Sequence, residues 1–132
     1  FFRSFEIDGS VVHIWVENLG VNAFSHGIEY DEMLREPDYL RKLFQLAIMI
    51  SKINKPIFGH AKGETRGAAA YILRTLSNVC ANTKSTLRID DIEKGWIPTC
   101  GGSYHLSRLT GDVGVYLALT GHELDADEMN QC

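Results

Sequence analysis

The chain has 132 residues, 45% of them hydrophobic, 23% charged and 10% aromatic, with a formal net charge of −4. This balance describes one globular domain over residues 1–132 and excludes collagenous, low-complexity and strongly disordered chains. Thirteen Lys and Arg against seventeen Asp and Glu disfavour nucleic-acid binding through overall charge, since neutralising phosphates needs a basic face, and no apolar run approaches the roughly 18 residues of a membrane span.

In chain order, the β-branched, alternating segment at 11–16 (VVHIWV) predicts a strand. Residues 17–28 follow as a loop carrying Gly20 and Gly27. Pro37 opens a helix in which Leu40, Leu43, Phe44, Ala47 and Ile50 recur at helical spacing, with Arg41, Lys42 and Gln45 opposite. Lys55 and Pro56 end that helix, and 57–61 (IFGHA) forms a short buried strand. Residues 62–66 form a polar turn, and 67–74 (GAAAYILR) a helix of small residues. Further strands are expected at 79–81 and, more weakly patterned, at 86–89. A turn at 95–98 precedes a short helix over 104–109. Asp112 caps a helix running to Thr120, closed by Gly121, and Asp125 with Glu128 announces another through a capping-box pattern. A chain that stops where a helix begins is expected to be part of a longer protein. Strands alternating with helices imply an α/β architecture, with Trp15, Val16, Ile57, Phe58, Ile72 and Leu73 buried between sheet and helices.

Three cysteines without a CxxC pair read as free thiols in a reducing compartment, and five histidines without HxxxH or HExxH spacing give no metal site. His13 and His60 on strands read as structural. Ser25-His26-Gly27 lies in a glycine-containing loop, but no GxSxG elbow accompanies it. The stretch from Gly63 to Gly67 matches neither phosphate-loop pattern. It still feeds a strand into a Gly/Ala helix start, where free N–H groups and a positive dipole end favour a ligand's negative oxygen. Plain helix–sheet packing asks for the same small residues. Asp90, Asp91 and Glu93 read from charge patterning as a solvated loop.

Several segments, taken in order, resemble the crotonase (enoyl-CoA hydratase/isomerase) superfamily. Residues 23–29 (AFSHGIE) are similar to its A-F-[SA]-x-G-x-D loop, 55–63 (KPIFGHAKG) to its K-P-V-I-A-x-V-x-G strand, and 67–70 (GAAA) to its G-G-G-x helix start. Residues 95–103 (GWIPTCGGS) resemble G-x-x-P-x-x-G-G-[ST]. Segments 108–111 (RLTG) and 119–122 (LTGH) resemble R-L-x-G and L-T-G-x, and 101–121 is most similar to the 3-hydroxyisobutyryl-CoA hydrolase branch.

The resemblance implies a crotonase-like α/β fold of stacked strand–strand–helix units, incomplete at both ends. It implies an acyl-CoA thioester as substrate or ligand, no metal or other cofactor, and an oxyanion hole from the N–H groups of Ile28 and Ala68, with His26, Gly27 and Gly67 lining the substrate. Tyr71 and Thr99 stand where the family places carboxylates, and Asp91 is the remaining candidate base. Phenol and hydroxyl groups are poor acids and bases near neutrality, so hydration and thioester hydrolysis are expected to be very slow. Two classes follow from the resemblance: an acyl-CoA enzyme restricted to single-carboxylate chemistry such as isomerisation, or a non-catalytic structural subunit, for example of a mitochondrial ribosomal small subunit. Mitochondrial residence and a homo-oligomer or larger assembly are expected on the same ground.

Overall fold

The structure, a computed structural model, describes residues 2–20 and 22–132; Phe1, and Val21 within the expected loop, lie outside them. Helix α1 (Phe2–Ile7) leads into strand β1 (Ile14–Glu17), strand β2 (Ala23–Ser25), and helices α2 (Tyr30–Arg35) and α3 (Tyr39–Ser51). Strands β3 (Ile57–Ala61) and β4 (Glu64–Arg66) precede α4 (Ala68–Thr75), and β5 (Asn78–Ala81) and β6 (Thr86–Arg88) follow it. A 3-10 turn (Ile92–Lys94), α5 (Gly102–Leu106), α6 (Val113–Thr120), β7 (Glu123–Leu124) and α7 (Ala126–Gln131) complete the described order.

The strands sort alternately into two sheets. One is parallel in the order β1-β3-β5; the other runs β2-β4-β6-β7, with only the last pair antiparallel. Each long strand therefore bends into a short one of the second sheet, and a helix returns the chain: these are the expected strand–strand–helix units. The bends stack through the main chain. Glu64 N–H donates to Asn22 O at 3.1 Å, and Thr86 N–H to Gly63 O at 3.2 Å. The buried Ser85 hydroxyl donates to Ala61 O at 2.5 Å.

Buried apolar side chains form two clusters. One gathers Ala68, Ala70, Tyr71, Ile89, Cys100, Leu106, Leu117 and Leu124 around α4; the other joins Ile14, Ile50 and Ile57 between the first sheet and α3. Helix α3 serves both, through Ala47 and Ile50, because apolar positions three apart share one helix face.

Several expectations are corrected. Trp15 is 50% exposed and stacks on Phe58 with ring centroids 6.0 Å apart. Neighbouring strand residues face opposite ways, so burying Ile14 turns Trp15 outward, and burying Ile57 leaves Phe58 partly exposed. Val16 and Ile72 are likewise only partly buried against the second cluster, while Leu73 is fully enclosed. The expected loop at 17–28 contains β2, and the polar turn at 62–66 contains β4. Three-residue strands carry too little periodicity to show in a sequence, and neighbouring backbones specify them instead. Helices α1 and α2 were not anticipated, and the helix expected at 104–109 lies at Gly102–Leu106. Asp112 precedes α6 but its side chain makes no capping bond. At α7 the capping box is complete: Asp125 accepts the N–H groups of Asp127 and Glu128, and Glu128 accepts that of Asp125. Cys80 is exposed, Cys100 buried and Cys132 partly so, all as free thiols. Among the described residues, no helix is long and apolar enough to cross a membrane.

The crossing of α5 and α6 is the tightest packing constraint. A methyl group on Gly114 would fall 1.9 Å from the Leu106 carbonyl oxygen, and a backbone oxygen cannot swing aside as a side chain can. Gly114→Ala is expected to cost about 1–3 kcal/mol or more in urea denaturation. Gly9→Ala, which meets no atom within 4 Å, should stay within roughly 0.5 kcal/mol of the parent.

Candidate functional site

Two backbone segments meet at the start of α4. Gly67 N–H donates to Arg88 O at 3.0 Å, fastening the β4–α4 junction to the end of β6. Ala68 then opens the helix, and a first-turn N–H has no acceptor within its own helix. Residues 26–28 run alongside: a methyl group on Gly27 would stand 3.0 Å from Arg66 O and 3.7 Å from the Gly67 Cα. Only glycine allows that approach, and its φ of 95° is left-handed besides. Neither Ile28 N–H nor Ala68 N–H finds an acceptor among the described residues. The result is two unspent donors on adjoining backbones, one of them at the positive end of a helix dipole. His26 is largely exposed at the rim and lies 3.4 Å from Glu64. The structure thus brings His26, Gly27, Ile28, Gly67 and Ala68 into one place.

Tyr71 follows Ala68 by three residues, close to one helical turn, and is 1% exposed. Its hydroxyl donates to Asp91 Oδ2 at 2.9 Å. Burial pushes the Asp91 carboxyl above its ordinary value, although the Tyr71 bond works the other way. Burial, then the nearby Asp91 charge, raises Tyr71 far above an ordinary phenol. The reading of the acidic cluster as a solvated loop is therefore corrected. Asp90 and Asp91 are each 2% exposed, because the chain after β6 folds its 3-10 turn against the N-terminus of α4. Only Glu93 stays near the surface, paired with Arg88.

Thr99 is nearly buried, and its Oγ1 has no partner among the described residues. Its carbonyl oxygen accepts Gly102 N–H at 2.6 Å. A methyl group on Gly102 would meet the Tyr71 ring and Pro98 Cβ, each at 2.7 Å, so this turn packs directly on the phenol. Between them, Cys100 is buried at a φ of 46°, a strained value for a non-glycine residue, and burial raises its thiol pKa. Tyr71, Asp91 and the 98–102 turn form one wall.

Lys94, the partner of Asp90, and Tyr30 escaped the sequence reading. Lys94 Nζ donates to Asp90 Oδ2 at 2.6 Å and sits 4.5 Å from the Tyr30 ring centroid. Burial opposes the charge on Lys94, yet Asp90's bond and charge together with Tyr30 raise its pKa. The i,i+4 spacing of Asp90 and Lys94 was the available signal. A cavity of about 350 Å³ reaches Tyr71 from the far side, walled by Ala70, Leu73, His105, Leu117 and Met129; Ile28 and Ala68 do not line it. Among the described residues no group of three or more His, Cys, Asp or Glu could hold a metal ion. Chemically, the arrangement offers two N–H donors for a carbonyl oxygen and two carboxylates, each already engaged.

A family model described as enoyl-CoA hydratase/isomerase matches residues 2–132. The small ribosomal subunit protein mS47 of Arabidopsis thaliana is 33% identical over 71% of this chain and 23% of its own length. The mitochondrial 3-hydroxyisobutyryl-CoA hydrolase of Xenopus laevis is 31% identical over 71% of this chain and 24% of its own length. A crystal structure of enoyl-CoA hydratase from Bacillus anthracis superposes with a TM-score of 0.90 at 17% identity, covering 98% of this chain and 52% of that one. That likeness shows the crotonase fold. The chain spans about a quarter of those two relatives and about half of the solved structure.

The Tyr71–Asp91 pair generates a stability prediction. A carboxyl whose pKa is raised on folding contributes stability that is fully present below its ordinary value of 3.8 and is lost as pH rises through its native value. Asp91→Asn keeps an acceptor for Tyr71 but removes the buried charge. It should raise the melting temperature at pH 7 and flatten the decline above pH 3.8. Tyr71→Phe strips the carboxylate of its donor and should cost about 1–3 kcal/mol. Melting curves from acid to neutral pH measure both.

Proposed function

The chain belongs to the enoyl-CoA hydratase/isomerase family, and from that premise we propose that it binds an acyl-CoA thioester with most of its acid–base chemistry lost. One observation carries the reading: Ile28 and Ala68 hold unspent N–H groups on backbones brought together at Gly27 and Gly67. Donors fixed by the main chain polarise a thioester carbonyl without depending on side-chain identity. His26, Gly27 and Gly67 line the approach, and no metal or cofactor is called for. Tyr71 and Thr99 hold the positions of lost carboxylates. Asp91 remains as a base, but its Oδ2 is already bonded to Tyr71. Positioned acids and bases contribute about 10²–10⁴-fold each, so binding should outlast turnover.

A second reading, a structural subunit of a larger assembly, has its own support. The mS47 relative bears a ribosomal name, and α6 leaves Val115, Tyr116 and Leu119 more than half exposed. An apolar surface of that kind marks a contact with protein, and the net charge of −4 favours protein over RNA. Mitochondrial residence is part of both readings and draws on the hydrolase relative's name.

Calorimetric titration with a short acyl-CoA separates them. Micromolar binding, with hydration and hydrolysis far below roughly 10 per second, is the expected result. Ala68→Pro deletes one donor at a helix position that tolerates the ring and should weaken binding about 3–10-fold, with a melting curve reporting that the fold persists. A folded chain that binds no acyl-CoA leaves the structural reading.

A further inference from the structure

Asp90 is a buried carboxylate that neither reading uses. Its side chain is 3% exposed, and Lys94 satisfies Oδ2 alone. Oδ1 has no partner among the described residues. That oxygen would touch a methyl group on Gly67 at 3.0 Å, which places it against the residue whose carbonyl carbon bears the Ala68 nitrogen. An unpaired carboxylate oxygen therefore lies at the N-terminus of α4, where the helix dipole favours negative charge. The other charged neighbours are accounted for. Arg66 pairs with Glu64, Asp91 is bonded by Tyr71, and Lys94 is shared with the Tyr30 ring.

We propose that Asp90 is a resident counter-anion of the α4 N-terminus, which makes the donor pair accept a neutral carbonyl oxygen and reject an oxyanion. This deepens the acyl-CoA reading and rests on it. A neutral thioester oxygen needs only the two N–H groups. An enolate or tetrahedral oxygen would bring a full negative charge within a residue of Asp90, and like charges repel strongly where water is excluded. Lys94 tempers the effect by holding Oδ2. Asp90 and Lys94 thus act on the bound ligand in opposite senses, although removing either breaks the same ion pair.

Acetoacetyl-CoA reads that difference. When it enolises, the C2–H bond breaks, the proton passes to solvent, and the electron pair ends on the thioester and ketone oxygens as a near-ultraviolet chromophore. Its enolisation is to be titrated against pH bound to the 132-residue chain, to Asp90→Asn and to Lys94→Met, with acetyl-CoA binding heats measured in parallel. Asp90→Asn should lower the bound ligand's enolisation pKa by one unit or more, roughly a tenfold gain in enolate, and Lys94→Met should raise it. Acetyl-CoA affinity should move less than threefold in Asp90→Asn. A shift of both variants in the same direction would mean the pair is only structural and would overturn the proposal, as would an unchanged titration in Asp90→Asn; either result leaves the acyl-CoA reading standing. If neither the parent nor Asp90→Asn binds acetyl-CoA, the reading beneath it fails and the proposal falls with it.

Discussion

The site depends on the close approach of two main chains at Gly27, whose left-handed φ and 3.0 Å clearance favour glycine. Gly27 lies against Arg66 O, and Gly67 against the Asp90 carboxylate; a Cβ at either position would crowd its neighbour at 3.0 Å. That approach sets the loop at 26–28 beside the first turn of α4. It leaves the Ile28 and Ala68 N–H groups on adjoining segments and draws the turn after β6 against the same helix end. The hydrogen bond from Gly67 N–H to Arg88 O then couples the junction to the strand that delivers both aspartates.

From this geometry the two adjacent carboxylates acquire different surroundings. Asp91 turns to the Tyr71 hydroxyl inside an apolar wall, where its charge is disfavoured. Asp90 turns to Lys94 and the helix terminus, where negative charge is supported from two directions. Asp90 and Asp91 stand just ahead of the 3-10 turn and take different partners, so a one-residue step separates these environments. The phenol at position 71 also bears on the wall through its ring. It leaves no room for a Cβ on Gly102, in the turn that holds Thr99 and Cys100.

Elements with their own periodicity were legible in the sequence. The helix α3, the strand β3 and the Ala-rich start of α4 lie where apolar spacing put them, and the Asp125 capping box is formed as its residues imply. Elements specified by their neighbours were not. Strands β2 and β4 are only three residues long, and they exist because adjacent strands supply their hydrogen-bond partners. At the site, Gly27, Ile28, Gly67 and Ala68 were grouped by the resemblance of their segments to the family's loop and helix-start motifs, and the structure sets those two segments side by side. The burial of Asp90 and Asp91 was not legible because charge patterning describes a segment as though solvent surrounded it. Trp15 was misplaced because hydrophobicity alone does not say which of two adjoining strand residues turns inward.

The stacked bends carry a consequence for how this architecture can change over time. Glu64 meets Asn22, and Thr86 meets Gly63, through amide and carbonyl groups that every residue except proline supplies in full. A scaffold joined in this way records little of its geometry in side-chain identity. Substitutions can accumulate along the strands while each coil still lands on the one before it, as a TM-score of 0.90 at 17% identity illustrates. The same indifference lets a member shed its reactive groups without losing its shape. Lineages built on such a coil can vary widely in sequence while the frame itself stays the same.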